Sequence, residues 1–312
     1  MSIKCSLCNN SLEDSKIVVT KKDIRHNCYG KNKVIVKCSK CGLIQLIPQW
    51  TEEELKKIYE GYYKKEDFKG YIYKPRDYPL YIDKYLIRGD NILEIGCGKG
   101  ENVYRLKRLG YDVLGIDKDN NVCDEHFIHN LDAKELKKKQ YKNKFDVIYG
   151  IHLLEHIENP REFFDICYYS LKKYGRLILE LPNIDEPLLT IYKNKAFSKF
   201  YYRPDHLFFY NKDTLFPMLL SSDFVHGNII LKQQYGLWNH LNWLFRNKPS
   251  NINYNIPLLD SIYKFILTKI LKKSDTLLVI LEKKIDNNSL EHPDRLIDDR
   301  GKHYYRVEHN HD

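Results

Sequence analysis

One ten-residue stretch, Asn91-Ile-Leu-Glu-Ile-Gly-Cys-Gly-Lys-Gly100, constrains the architecture of this chain more than any other feature. An apolar run interrupted only by Glu94 ends in glycines at alternate positions, Gly96, Gly98 and Gly100. A segment of helical character follows, from Asn102 to Leu109. A second apolar run, Tyr111 to Ile116, then closes on Asp117. Strand, tight loop, helix and strand in that order form the opening unit of a nucleotide-binding α/β sheet. The glycines let the main chain turn sharply and approach a ligand, and an acid ending the second strand can accept bonds from ribose hydroxyls. The spacing also separates two cofactor classes. A dinucleotide fingerprint, G-x-G-x-x-G, needs Gly or Ala at position 101, where Glu101 stands. The chain carries E-x-G-x-G-x-G instead.

Further apolar runs mark a third strand at Glu125 to His129, a fourth at Phe145 to Tyr149 and a fifth at Arg176 to Leu181. A sixth is expected at Asn228 to Leu231 and a seventh at Thr276 to Glu282. Strands alternating with helices at this pitch predict an α/β fold, a doubly wound, seven-stranded, mostly parallel sheet over residues 89–284. An insertion at about 234–274 sets Leu258, Leu259, Ile262, Phe265, Ile266 and Ile270 on one helical face. Such a face suits packing on its own domain, a homodimer contact, or peripheral membrane contact through residues 257–273, near Trp238 and Trp243. Residues 50–88 read as a Tyr-rich helical linker or lid. Thr51 caps its first helix and Tyr78 to Leu86 supplies a second. Residues 285–312 read as a flexible polar tail.

Cys5-Ser-Leu-Cys8 and Cys38-Ser-Lys-Cys41 form two Cys-x-x-Cys pairs, with Gly42 directly after the second. Each pair can turn two thiolates toward one point, and together they complete a tetrahedral zinc site. Short strands at Lys16 to Thr20 and Lys33 to Lys37 make residues 1–49 a zinc ribbon. A redox motif would not need the second pair. Four thiolates leave no open position, so the zinc is expected to be structural, contributing on the order of 10 kcal/mol to folding. His26 and Cys28 lie in the intervening segment as spare candidates.

The bulk composition bounds the remaining classes. At 312 residues, 43% hydrophobic and 30% charged, the chain suits one sizeable α/β domain with a small accessory module. No apolar run approaches the ~18 residues of a membrane span, and the N-terminus opens polar. The cytoplasm is the expected compartment, with the inner face of the membrane as a peripheral alternative. The net charge of +9 suits an anionic small substrate, an acidic membrane surface or nucleic acid. Its densest patch, Lys134 to Lys144, reads first as a solvated surface.

The E-x-G-x-G-x-G loop followed by Asp117 resembles motif I of the class I S-adenosylmethionine-dependent methyltransferases. Leu154-Glu-His-Ile-Glu-Asn-Pro160 is similar to a stretch common in their small-molecule members. The resemblance covers about residues 78–284 and implies a Rossmann-like sheet whose last strand inserts antiparallel. It implies that Glu94 contacts the loop or the cofactor's amino group. Gly96, Cys97, Gly98 and Gly100 would bring main chain to the methionine part, and Asp117 would hold the ribose. Lys118 would lie beside the adenine, Asp132 and the amide of Ala133 would meet its edge, and Gly150 to His152 would line the sulfonium end. Leu131 departs from the glycine usual before that acid.

In-line methyl transfer to a protonated hydroxyl or amine also needs a base, worth roughly 10²–10⁴-fold. His206, in Tyr201-Tyr-Arg-Pro-Asp-His-Leu-Phe-Phe209, sits where related enzymes carry an active-site loop, and His156 and His152 come next. Asp205 is expected to orient His206 or cap the turn, and Arg203 to meet an anionic substrate. Tyr149-Gly-Ile-His152 replaces the [DN]-P-P-[YF] of enzymes that methylate exocyclic base amines, which disfavours that chemistry. A four-cysteine module with a His element after strand five resembles the sugar C-methyltransferases and their relatives, which carry a further C-terminal domain not seen here. The expected substrate is a sugar, nucleotide-sugar or glycan precursor, with O, N or C as acceptor atom. An rRNA or tRNA methyltransferase with a zinc ribbon is the alternative, and a non-catalytic zinc-ribbon adaptor a third.

Overall fold

The computed structural model describes residues 3–13, 15–19, 33–51, 53–55, 82–123, 126–203, 205–249, 256–283, 296–297 and 303–304. Residues 56–81 of the expected lid, His26, Cys28 and most of the tail lie outside the described residues.

Among the described residues the main sheet has seven strands. They are β4 (Asn91–Ile95), β5 (Asp112–Asp117), β6 (Ile128–Asn130), β7 (Phe145–Ile151), β8 (Leu171–Pro182), β10 (Phe224–Lys232) and β11 (Thr276–Lys283). Their order is β10-β11-β8-β7-β4-β5-β6. β4, β5, β6, β7 and β8 pair in parallel, and β11 is antiparallel to both β8 and β10. The expected antiparallel last strand is therefore present. β4 is buried on both faces, which its nearly unbroken apolar sequence dictates. Ile92, Val113, Val147 and Ile178 pack with Val103 and Leu106 of helix α1 (Glu101–Arg108) on one side. Leu93, Ile116, Ile148 and Leu179 pack with Phe163 and Phe164 of α2 (Pro160–Ser170) on the other. The chain order reverses across β4, so the crevice at the carboxyl ends of β4, β5 and β7 is the topological switch point where such sheets bind ligands.

Three expectations need adjustment. The fifth strand begins at Leu171 rather than Arg176, because α2 runs directly into it and Leu171 pairs with Phe145 before a register shift. The helix expected at Tyr78 to Leu86 is, among the described residues, one 3₁₀ turn at Asp83–Tyr85. The helix of the insertion stops early. After α6 (Leu237–Arg246), α7 covers Pro257–Phe265 and gives way to a π turn at Ile266–Ile270. Its six apolar residues are all exposed, whereas Asp260 turns inward and accepts from the Leu237 amide at the start of α6. The expected cap does form: Thr51 Oγ accepts from the Glu54 amide and the Glu54 carboxylate from the Thr51 amide.

The N-terminal module is tied to the main domain through a second sheet, β1 (Lys16–Val19), β2 (Val34–Lys37), β3 (Ile44–Ile47) and β9 (Phe208–Phe209). The first two match the expected ribbon strands. β9 comes from the loop that carries His206, and pairs Ile44 with Phe209 and Gln45 with Phe208.

Candidate active site

Gly96, Gly98 and Gly100 adopt φ of +69°, +53° and +71°. Three left-handed residues in five explain why the loop leaving β4 carries glycine at alternate positions. A Cβ at Gly96 would also lie 2.9 Å from the Leu153 side chain, and one at Gly100 would collide with Ile128. No side chain caps the N-terminus of α1, which leaves its first amides able to meet a ligand's carboxylate.

The acids around this loop prove to be braces as well. Glu94 is buried, and accepts from the Tyr149 hydroxyl at 2.8 Å and the Asn102 amide at 3.1 Å. Burial pushes its pKa up to about 7. It therefore ties β4 to β7 and α1 beneath the loop, through Tyr149 and Asn102 rather than through a loop residue. Asp117 Oδ2 accepts from the Gly98 amide at 2.8 Å and Oδ1 from the Asp119 amide at 2.9 Å. Each oxygen retains acceptor capacity for a ribose hydroxyl. Lys118 pairs with Asp132 at 2.9 Å, so the two residues expected around the adenine hold each other. Asp132 also caps the 3₁₀ turn that Ala133 opens. Cys97 lies between Gly96 and Gly98 with its Sγ directed to the Gly98 carbonyl. Gly150 sits in β7, where a Cβ would lie 2.6 Å from Leu153.

Past β7 the chain bends at His152, which adopts φ +51°, uncommon for a non-glycine residue. Its amide donates to Glu180 O of β8. The next turn, Leu154–His156, brings together residues that the sequence separates by fifty positions. The His156 and His206 rings stand edge to face, centroids 4.8 Å apart. His156 Nδ1 lies 2.8 Å from the Asp205 carbonyl oxygen. Asp205 does not orient His206 through its carboxylate; it is clasped by Arg203, Nε to Oδ1 at 3.0 Å and Nη2 to Oδ2 at 2.7 Å. The same clasp takes up the guanidinium expected to meet an anionic substrate. Burial lowers the His206 pKa to about 3, so at neutral pH its ring is neutral. Sequence reasoning missed Glu155. Its carboxylate is 1% exposed, within 3.4 Å of His152 Nδ1 at Oε1. Burial works to raise its pKa, yet His152, with His156 and His206, holds the carboxyl below its ordinary value. The signal was its place in Leu154-Glu-His156, between residues already singled out.

The four expected metal ligands also converge. Cys5 Sγ lies 3.5 Å from Cys41 Sγ, and Cys8 Sγ lies 3.7 Å from Cys38 Sγ. A tetrahedral zinc with Zn–S of about 2.3 Å places its sulfurs about 3.8 Å apart. The two knuckles are built alike. The Asn9 amide returns to Cys5 O and the Gly42 amide to Cys38 O, and Asn9 and Gly42 are both left-handed, at φ +57° and +77°. The donor set and spacing fit a structural zinc. From this module Leu46 N donates to Leu207 O, and Leu207 N donates to Glu155 O. The Arg161 guanidinium also donates to Leu7 O.

A family model described as a methyltransferase domain matches residues 68–225, just over half of the chain. The ubiquinone biosynthesis O-methyltransferase of Shewanella pealeana is 26% identical over 115 residues, 33% of this chain and 49% of that protein. Phosphoethanolamine N-methyltransferase 3 of Arabidopsis thaliana is 30% identical over 121 residues, 34% of this chain and 25% of that protein. The chain thus spans half or less of the length of these curated relatives. A solved SAM-dependent methyltransferase from Archaeoglobus fulgidus superposes with a TM-score of 0.49 at 23% identity, over 71% of this chain and 99% of that one.

Proposed function

The chain belongs to the methyltransferase-domain family, and from that premise we propose that it transfers a methyl group from S-adenosylmethionine to a small-molecule acceptor. The observation that carries this reading is the loop of three left-handed glycines roped to Asp117 at the switch point of the sheet. Uncapped amides at the start of α1 suit the cofactor's carboxylate, and the spare lone pairs of Asp117 suit its ribose. S-adenosylmethionine, when bound, supplies an electrophilic methyl on a sulfonium. The protein then aligns the acceptor and takes its proton. His152 is the best placed for that proton among the three histidines. It follows directly on β7, its side chain is 38% exposed, and a buried carboxylate, Glu155, lies beside it to stabilise imidazolium. His206 is the poorer acceptor because its burial disfavours the charged ring.

The acceptor class we infer is a sugar, nucleotide-sugar or related glycan precursor. Support comes from the positive net charge and from the four-cysteine module in front of this domain type, not from the relatives, whose printed names concern ubiquinone biosynthesis and phosphoethanolamine. The curated relatives do favour a small molecule over RNA. Among the described residues no helix is long and apolar enough to cross a membrane. The exposed apolar side of α7 is assigned to an anionic bilayer surface. Lys264, Lys269 and Lys272 flank it, and its one acid, Asp260, is turned inward. The test of the main reading is incubation with radiolabelled S-adenosylmethionine and fractionated cell extract. Label entering nucleotide-sugar or glycan-lipid fractions supports it, label in RNA favours the alternative, and no transfer with no binding of S-adenosylhomocysteine refutes it.

A further inference from the structure

A second acid, besides Glu94, interrupts an apolar strand of the main sheet. In β8, Leu177-Ile-Leu-Glu-Leu181 carries Glu180 at a position that is 1% exposed. Glu180 pairs across the sheet with Ile151 of β7 and Leu278 of β11, both apolar. Cross-strand partners share a face, and alternate residues return to it. Glu180 therefore lies on the face that carries Glu94, Tyr149 and Ile178, one step nearer the carboxyl rim. Its main chain touches the candidate site, because Glu180 O accepts from the His152 amide at 2.8 Å. A carboxylate is costly to bury, and an apolar residue would fill the same place with less loss.

Two residues at the end of β10 meet this carboxylate. Gln234 Nε2 donates to Oε1 at 2.6 Å, and Lys232 Nζ donates to Oε2 at 3.5 Å. Their segment is fixed by a further buried acid, Asp275, which accepts from the Gln234 and Tyr235 amides at 2.9 and 2.8 Å and from Gln233 Nε2 at 2.8 Å. Facing an ammonium, the Glu180 carboxylate accepts, so its bond to Gln234 fixes which end of that amide is NH₂. Gln234 Oε1 is thereby set as an acceptor on the other side of the amide. The Lys232 side chain is 24% exposed. Burial lowers its pKa to about 8, so at neutral pH the ammonium form prevails.

An oriented acceptor and an oriented donor thus hang on one carboxylate, one strand over from His152. The acids Glu180 and Asp275 outnumber Lys232, which disfavours an anion here, and the ammonium itself disfavours a cation. A hydroxyl is uncharged and both gives and accepts a hydrogen bond. Two neighbouring hydroxyls on a ring fill both roles at once. We propose that Gln234 Oε1 and Lys232 Nζ receive two adjacent hydroxyls of the methyl acceptor, with Glu180 as the positioning residue that sets both. This rests on the proposed methyl transfer to a sugar-type acceptor and narrows it. The part of the acceptor lying over β8 is an uncharged polyol ring, and any phosphate of a nucleotide-sugar lies elsewhere.

The experiment uses full-length protein with S-adenosylhomocysteine added at pH 7. Saturation transfer is followed by NMR to myo-inositol and methyl α-D-glucopyranoside, with ethanolamine and inorganic phosphate as charged probes. Wild type is expected to bind at least one polyol, with affinity falling tenfold or more in Gln234→Met and in Lys232→Met. Glu180→Leu should lose binding alike, whereas Glu180→Gln, which still offers an oxygen to Gln234, should keep most of it; equal loss in both overturns the positioning role. Binding of S-adenosylhomocysteine, measured by calorimetry on the same variants, is the folding control and is expected to persist. Polyol binding that folded Gln234→Met and Lys232→Met both retain overturns the proposal, as does a wild type that takes neither polyol or only a charged probe. Polyol binding through these residues without S-adenosylhomocysteine binding in wild type would instead strike the methyl-transfer reading and leave the polyol subsite standing.

Discussion

Asp117→Asn tests the central geometry, because the substitution keeps shape and removes charge. The carboxylate accepts two main-chain amides, one on each oxygen, from Gly98 at 2.8 Å and Asp119 at 2.9 Å. An asparagine offers one oxygen, so its NH₂ must face an amide N–H, donor against donor. One charge-assisted hydrogen bond is lost, worth about 1.5–3 kcal/mol. Burial raises the Asp117 pKa, so removing the charge also relieves a desolvation cost and offsets part of that loss. The net destabilisation expected is about 1–2 kcal/mol, a fall of a few degrees in Tm. The effect on cofactor binding is larger. The lone pairs left to the ribose diol drop from a charged pair of oxygens to a single neutral one, so about 2 kcal/mol or roughly 30-fold in Kd is expected. Calorimetry with S-adenosylhomocysteine and a thermal melt on the same preparation measure both. A lowered Tm with unchanged affinity would leave Asp117 as a loop brace only and refute its role toward ribose. Unchanged values in both would refute the geometry itself.

Replacing Cys38 and Cys41 by serine should abolish stoichiometric zinc and lower Tm, which elemental analysis and melting would show; zinc retained at one per chain would count against the thiolate site. The pKa of Glu94, about 7 against an ordinary 4.5, implies a pH-dependent stability. A carboxyl with a raised folded-state pKa favours folding while protonated, so its ionisation costs roughly 3 kcal/mol, absent below pH 4.5, growing up to pH 7 and complete above it. Glu94→Gln, whose amide can still meet Tyr149 and Asn102, should therefore match wild-type Tm at pH 4.5 and exceed it at pH 8; a gap independent of pH would contradict this. His152→Ala should lower kcat by 10²-fold or more with little change in S-adenosylhomocysteine affinity, and an unaltered kcat would remove it as proton acceptor. The bilayer reading of α7 expects wild type to float with phosphatidylglycerol vesicles and Ile262→Asp/Phe265→Asp to remain in solution. Loss of a dimer in that variant, without any flotation of wild type, would assign the face to a second copy instead.

Much of this molecule was legible because its strands are apolar runs bounded by residues with narrow conformational uses. Gly96, Gly98 and Gly100 announced left-handed backbone, and Gly42 marked the left-handed end of the second cysteine knuckle. The order of elements around β4 followed from alternation alone. What stayed hidden depended on contacts remote in sequence. Nothing local says that Lys118 will spend its charge on Asp132, that Arg203 will clasp Asp205, or that the apolar side of α7 will face outward. β9 is two residues long, too short for any periodicity to register.

That short strand joins the N-terminal module to the loop that carries His206. Hydrogen bonds run from β3 at Leu46 to Leu207, and from Leu207 to Glu155, whose neighbours include all three candidate histidines. Four cysteines closed on a metal would therefore stiffen a sheet whose last strand belongs to the loop that carries His206. A module that merely recruited partners would not need to share a ladder with Phe208 and Phe209. If metal holds the module folded, removing it should release the His206 loop while leaving the β4–β5 crevice intact. Hydrogen exchange on zinc-stripped protein is then expected to speed up at Leu207 and Phe209 but not at Gly98, with S-adenosylhomocysteine still bound and kcat reduced. Uniform exchange at all three amides would mean that the module supports the whole fold rather than the acceptor side of the site.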